Sequence, residues 1–245
     1  MHALGGSVVL SHVSSLVVQG IRPWGLDLTR VHVTRLDGGA GRIEGDIVHH
    51  AAHVPAHDVM THAGLLVTVS DRAAMEAATQ RDGEVALCTF NQVLHAELCT
   101  PERLYQRFET MERWPGTQKL HVPIRMADGR SQSVGESRGF WLFRQWGIPA
   151  PIPQFKVYDA NGVLRGTCDW GWPEYEQLGE FDGELKYGRL LELGQDAGSV
   201  VFAEKNREDE LREITGYGMV RLIWDDYQRP RVTAGRVRRG LGIAA

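Results

Sequence analysis

Gly166–Arg189 reads GTCDWGWPEYEQLGEFDGELKYGR, and the way this stretch folds decides the second half of the chain. Val163–Trp170 and Gln177–Asp182 are strand-like runs, and Trp172-Pro173-Glu174 between them is a turn. Asp169 and Glu180 thus sit among residues that otherwise read as buried sheet, where an uncompensated charge is costly. A turn near residues 172–175 sets the two acids roughly opposite each other on adjacent antiparallel strands. Carboxylates about 4–5 Å apart across a sheet repel, and a divalent cation between them relieves the repulsion. Mg2+ accepts such oxygens and keeps water or phosphate in its remaining positions, where it activates a water and stabilises developing phosphate charge. Lys186 is the nearest candidate to orient that water or share the charge, and Glu136, at the start of the preceding helix, could join the metal shell. The same residues also read as exposed acids on a solvent-facing strand, paired with Lys186 and Arg189. Spacing alone leaves both readings open.

Working outward, Gln154–Tyr158 and Val163–Trp170 flank Asp159-Ala160-Asn161-Gly162, and Asn-Gly between two such runs signals a hairpin. Ser133–Trp146 has helical periodicity, with Phe140, Phe143 and Trp146 on one face and Gly147 as its stop. Downstream come a helix from near Ser199 to Thr215 and a buried strand, Gly218–Trp224. Helix, three-stranded meander, helix, strand is the order of an α/β (α+β) domain with a mixed sheet flanked by helices. The first half predicts a helix over Ser11–Gly20 with Ser11 as its cap. Strands follow at Val31–Thr34 and Ile43–His49, separated by the glycine turn DGGAG, and at Leu65–Val69. Helices are then expected near 70–80, 83–98, 101–113 and 117–126, the third opened by Thr100-Pro101-Glu102. All ten histidines lie at or before His121, and RMADGRSQS (Arg125–Ser133) is polar. A boundary follows, with a smaller mixed domain over 1–125 and the second domain over 126–245.

The 245 residues, 42% of them hydrophobic, are enough for a packed core. No run approaches the roughly 20 apolar residues of a membrane span. The start, MHALGGSVVLSH, lacks the basic and apolar regions of a secretory signal, so a cytoplasmic protein is expected. Cys88, Cys99 and Cys168 are too few and scattered for a disulfide framework. A net charge of −4 argues against a general nucleic-acid coat. The five arginines at 229, 231, 236, 238 and 239 read either as a solvated basic tail or as phosphate contacts. His49, His50, His53, His57 and His62 are loosely spaced in a turn-like context and read as surface histidines rather than a metal site. Among the tryptophans, Trp172 is the candidate for stacking on a base.

Gly135-Glu136-Ser137-Arg138, Gly147-Ile148-Pro149, the hairpin, Asp169, Glu180-Phe181-Asp182-Gly183, Lys186, EKNREDEL (204–211) and GYGMVRLIW (216–224) occur in an order that resembles the very-short-patch-repair-like branch of the PD-(D/E)XK nucleases. Actinobacterial proteins carry such a domain at the C-terminus. The resemblance covers about 133–227 and implies a restriction-endonuclease-like fold and a DNA endonuclease dependent on Mg2+ (or Mn2+). It implies Glu136, Asp169 and Glu180 as metal ligands and Lys186 as the catalytic cation, while Arg207 and Asp209 match polar helix positions that either approach phosphate or pair with each other on the surface. Arg138, Arg189, Arg207 and Trp172 are the expected DNA contacts. Asp182 stands where the superfamily often has its lysine, so Lys186 either replaces it or the site is impaired. Leu4–Thr68 resembles the segment that follows the winged helix of AbiEi-type antitoxins, and the chain begins after the place where that winged helix would sit. Without that module, sequence-specific reading through a recognition helix and a toxin–antitoxin role are both less expected. The alternative, a non-catalytic regulator, antitoxin or immunity factor that binds DNA, or a protein partner through its N-terminal region, rests on the lysine missing at Asp182 and on the acidic net charge.

Overall fold

The computed structural model describes residues 8–183 and 207–244. The chain forms two compact units, Met1–Val134 and Gly135–Ala245. The joint falls after 125/126 because the polar stretch is tied to the first unit. There the Asp128 N–H donates to Asn91 Oδ1 (2.8 Å), and Ile124 and Ala127 pack into the helical core.

In the first unit, β-branched runs build a six-stranded mixed sheet. Its strands are β1 (Val8–Leu10), β2 (Val31–Arg35), β3 (Arg42–Glu44), β4 (Ile47–Ala51), β5 (Val59–His62) and β6 (Leu65–Thr68), in the order β3-β4-β2-β1-β6-β5. β1 and β5 carry no sequence pattern long enough to announce them, yet β1 is central, antiparallel to β2 and parallel to β6. The run expected as one strand over 43–49 is two. Glu44 pairs with Ile47 across a tight turn, and Gly45 supplies the positive φ (57°) that the turn demands. Leu10, Val33 and Val67 form the sheet's core.

The helices of this unit are α1 (His12–Val18), α2 (Ser70–Ala78), α3 (Gly83–His95), α4 (Pro101–Thr110) and α5 (His121–Met126). Every residue of α2 is buried. Its sequence, SDRAAMEAA, has small side chains at most positions, so α1, α3 and α4 all pack closely on it. The Thr100 hydroxyl accepts the Arg103 N–H and caps α4 as expected. Ser11 does not cap α1; its Oγ instead accepts a hydrogen bond from Thr34 Oγ1 (2.8 Å).

The second unit contains α6 (Val134–Gln145), β7 (Ile152–Tyr158), β8 (Leu164–Trp172), β9 (Gln177–Asp182), helical residues 207–215 (α7), β10 (Gly218–Ile223) and α8 (Pro230–Gly240). β7, β8 and β9 are an antiparallel meander, and β10 adds parallel to β9, giving the order β10-β9-β8-β7. The expected α/β (α+β) class and order of elements hold. Asp159 Oδ1 accepts the N–H groups of Asn161 and Val163, and Gly162 takes the positive φ (78°) of the hairpin turn.

α6 reaches this sheet through Phe140 and Phe143, which meet Trp170 edge-on, and through two glycines. A Cβ on Gly135 would stand 2.0 Å from Phe181 Cε1, and one on Gly139 would stand 2.2 Å from Trp170 Cζ2. Four residues apart, the two glycines share a face and let the helix backbone lie on the rings. Trp146, expected on the buried face, is 36% exposed. The arginine-rich end is no frayed tail: α8 buries Thr233, Ala234 and Val237. Arg236 pairs with Asp226 (2.8 Å), and Arg238 donates to the Trp146 carbonyl (3.1 Å). No helix among the described residues is long and apolar enough to cross a membrane.

Gly139→Ala is expected to cost about 1–3 kcal/mol by overpacking against Trp170. Gly235→Ala on α8, whose new Cβ would meet only Arg239 Nη1 at 3.7 Å, should be neutral or gain up to about 1 kcal/mol. Urea unfolding followed by tryptophan fluorescence measures both, and equal stabilities would contradict the close helix–sheet approach.

Candidate functional site

The acids singled out in the sequence gather around one level of the second sheet. β8 and β9 pair Trp172 with Gln177, Gly171 with Leu178 and Trp170 with Gly179. Asp169 and Glu180 lie just beyond the last of these pairs, Trp170 with Gly179. There the backbone ladder gives way to side chains. Asp169 Oδ2 accepts the Phe181 N–H (2.7 Å), and Glu180 Oε1 accepts from Arg207 Nη2 (2.9 Å), while Arg207 Nη1 reaches the Thr167 carbonyl (3.3 Å). Glu136, buried in the first turn of α6, accepts from Gln154 Nε2 (3.0 Å). Gln154 holds a left-handed backbone (φ 49°) on β7, an uncommon conformation for a non-glycine residue.

Asp182, at the position where a lysine was expected, is met by a cation from the next strand. Arg221 on β10 bridges Asp182 (3.0 Å) and Glu208 (2.6 Å). Arg207 and Arg221 together thus compensate Glu180 and Asp182 of the meander, and no local sequence signal marks Arg221 for that part. Burial, followed by the Glu180 and Asp169 carboxylates, pushes the Cys168 thiol far above its usual range.

Carboxylate oxygens are the right donors for Mg2+ or Mn2+. Each of the three acids is nevertheless held by a protein partner, and Glu136, Asp169 and Glu180 are not a ready-made cage. Among the described residues, the group of three His, Cys, Asp or Glu ligand atoms lying within 4.8 Å of one another is His12, His32 and His50. Lys186 and Arg189 lie outside the described residues. Two expected DNA contacts are core residues instead. Trp172 is 2% exposed, donates Nε1–H to the Pro149 carbonyl (2.8 Å) and packs edge-on to Phe143, so its faces are not open to a base. Arg138 is 8% exposed and lies over the Tyr227 ring, 4.4 Å from its centroid, so it is an internal cation–π partner rather than a surface phosphate contact.

The first unit holds a second concentration of charge, and it is buried. Asp58, just before β5, accepts from Arg72 Nη1 on α2 (2.8 Å) and Arg107 Nη1 on α4 (2.9 Å). Arg72 also donates Nε–H to Glu76 (2.7 Å) and Nη2–H to the His53 carbonyl (2.9 Å), while Arg107 binds Asp71 (2.9 Å). Burial pushes the Asp58 carboxyl up, but hydrogen bonds from Arg107 and Arg72 outweigh it and hold the group below its usual range. For Glu76 burial prevails and its carboxyl is raised.

The histidines are not all on the surface. His53, His57 and His62 are exposed, but His49 is buried and His50 half-buried. His50 stacks on His12, ring centroids 3.7 Å apart, and its Nε2 lies 2.9 Å from His32 Nδ1. Burial, then mutual repulsion, lowers the pKa of His12, and His50 falls to about 4 for the same reasons; burial lowers His32. Three residues 18 or more apart in sequence meet because β2 pairs with β4 beside the start of α1, and no local spacing encodes that.

Residues 26–120 match the family model of the AbiEi antitoxin C-terminal domain. The match runs from before β2 to just before α5, so it contains the Asp58–Arg72–Glu76–Arg107 network. It overlaps the segment expected to resemble these antitoxins and does not reach the second unit. No curated protein and no solved structure matches the chain.

Asp58→Asn should cost about 3–5 kcal/mol at neutral pH, because it strips a buried partner from two guanidinium groups. The folded pKa of Asp58 lies below its unfolded value, so its contribution is complete above the unfolded pKa of about 3.9 and is lost as pH falls through the folded value. The gap between wild type and Asp58→Asn in urea unfolding should therefore shrink on acidification. A gap under about 1 kcal/mol, or one that does not change with pH, would contradict the network's role.

Proposed function

We propose that the chain is an antitoxin-type regulator in a toxin–antitoxin or phage-defence pair, and that its first unit binds the protein partner. The family match over residues 26–120 carries this reading. The network inside that span supports it physically: a domain pinned by buried ion pairs presents a fixed surface, which lowers the ordering cost of binding. The second unit would contribute DNA or protein contacts through the exposed basic side of α8. Such a role implies a cytoplasmic protein.

A second reading is favoured by the Asp169 carboxylate, which accepts the N–H of Phe181 beside Glu180: metal-dependent hydrolysis of DNA in the second unit. Glu136, Asp169 and Glu180 would hold Mg2+ or Mn2+, which supplies an activated water and charge stabilisation. For its own part, the chain places Arg207 against Glu180, from which it can turn to a phosphate oxygen when released. Arg221 occupies Asp182, so the task of the absent lysine falls to Lys186, with Arg189 as a further phosphate contact.

Co-expression separates the readings. If the product of an adjacent gene arrests growth, the full chain should restore colony formation, and Asp169→Ala and Glu180→Ala should restore it equally. Growth arrest that persists beside the wild-type chain would end the antitoxin reading.

The nuclease reading predicts calorimetric Mg2+ binding and plasmid cleavage, both lost in Asp169→Ala. A wild-type protein that neither binds Mg2+ nor cleaves would eliminate it.

A further inference from the structure

We propose that His12, His32 and His50 form a binding site for a borderline transition-metal dication, Zn2+ foremost. One ring nitrogen of each lies within 4.8 Å of the other two. The three side chains come from the first residue of α1, from β2 and from β4, so the site is assembled by the fold rather than by a local motif.

Two features suggest a constructed site. His12 adopts a left-handed backbone (φ 53°), which is strained for a non-glycine residue and persists only where the surroundings impose it. The surroundings here are the buried Glu76 carboxylate, which accepts the His12 N–H (3.3 Å) and faces His12 Nδ1 at 3.6 Å. Ser11 Oγ also meets that nitrogen, at 3.0 Å. Both polar contacts fall on Nδ1, which leaves Nε2 for a ligand. A carboxylate behind one imidazole nitrogen, fixing the ring for a metal at the other, is the usual outer shell of a histidine ligand. Arg72 in turn holds Glu76 in place.

The donor set selects the ion. Three imidazoles without a thiolate suit Zn2+, Ni2+ or Cu2+ and disfavour Mg2+ and Mn2+. Zn–N bonds of about 2.0–2.1 Å in a tetrahedron place ligand nitrogens about 3.3–3.4 Å apart. His32 Nδ1 and His50 Nε2, 2.9 Å apart, need to open slightly. The hydrogen bond between them gives way to the ion, and its proton moves to the other nitrogen of the ring that carries it. His12 and His50 stack with planes 17° apart, so one of them must turn about χ2 for both lone pairs to meet the ion. Three protein ligands leave a fourth position for water or a partner's side chain. His32 and His50 lie within the matched antitoxin span and His12 precedes it, so the site joins that domain to its N-terminal extension.

The test uses the full chain, freed of affinity tag and stripped of metal by a chelator, titrated with Zn2+ alone and with Co2+ as a visible-absorbing probe. One equivalent should bind, Co2+ should show the intense visible bands of a low-coordinate site, and Zn2+ should raise the melting temperature. His32→Ala and His50→Ala should each abolish the stoichiometric binding, whereas His57→Ala and His62→Ala should leave it unchanged. Should the ligand variants fail to fold, imidazole 15N shifts in the wild-type chain decide: Zn2+ must move His12, His32 and His50 together. No stoichiometric binding, retention of the equivalent in His32→Ala/His50→Ala, or shifts confined to other histidines would overturn the proposal.

Discussion

Arg72 can be almost wholly buried only because Asp58 and Glu76 both take its guanidinium, and the first unit is organised around that constraint. A guanidinium out of water is tolerable when all its directions are met by acceptors in good geometry. Here the acceptors come from the turn before β5, from one helical turn further along α2 and from the His53 carbonyl. Arg107 brings α4 onto the same Asp58 and onto Asp71. α2, made of small residues so that its neighbours can approach, is thus also fixed in rotation and register. Glu76 then extends the network to His12, which links the buried charges to the histidine cluster at the sheet.

The second unit follows a different rule. Glycines at 135 and 139 bring the α6 backbone onto Phe181 and Trp170, so the helix that carries Glu136 is set directly on the strands that carry Asp169 and Glu180. The charges of that sheet are balanced one against another: Glu180 by Arg207, and Asp182 and Glu208 by Arg221. An antitoxin-type regulator and a metal-dependent hydrolase make different demands on this arrangement. For the first the arginines are structural counter-ions. For the second they must release the carboxylates to a cation and turn to phosphate, which exchanges one compensated state for another.

The second unit was the more legible in sequence, for reasons that can be named. Asn161-Gly162 makes its hairpin because Asp159 and a positive φ suffice locally, and Gly147 ends α6 in the same way. Ile43–His49 reads as one strand because β-branched Ile43, Ile47 and Val48 outweigh a single glycine, although Gly45 is the turn signal. β1 was invisible because three residues carry no period; it is a strand only because β2 and β6 flank it. Trp172, in a turn, and Arg138, in the Gly135–Arg138 motif, read as DNA contacts from the sequence, whereas Phe143, Tyr227 and Trp224 enclose them.

By itself, the sequence determined the α+β class, the helix–meander–helix–strand order of the second unit and the antiparallel pairing of the strands that carry Asp169 and Glu180. All of these rest on interactions within a few residues or on the strict two-residue period of a strand. Only the tertiary structure decided which cations meet those acids, that α8 is docked, that Asp58 gathers two arginines, and that His12, His32 and His50 share one small volume. Such meetings depend on how strands pair and helices pack across tens of residues, and no local spacing records them.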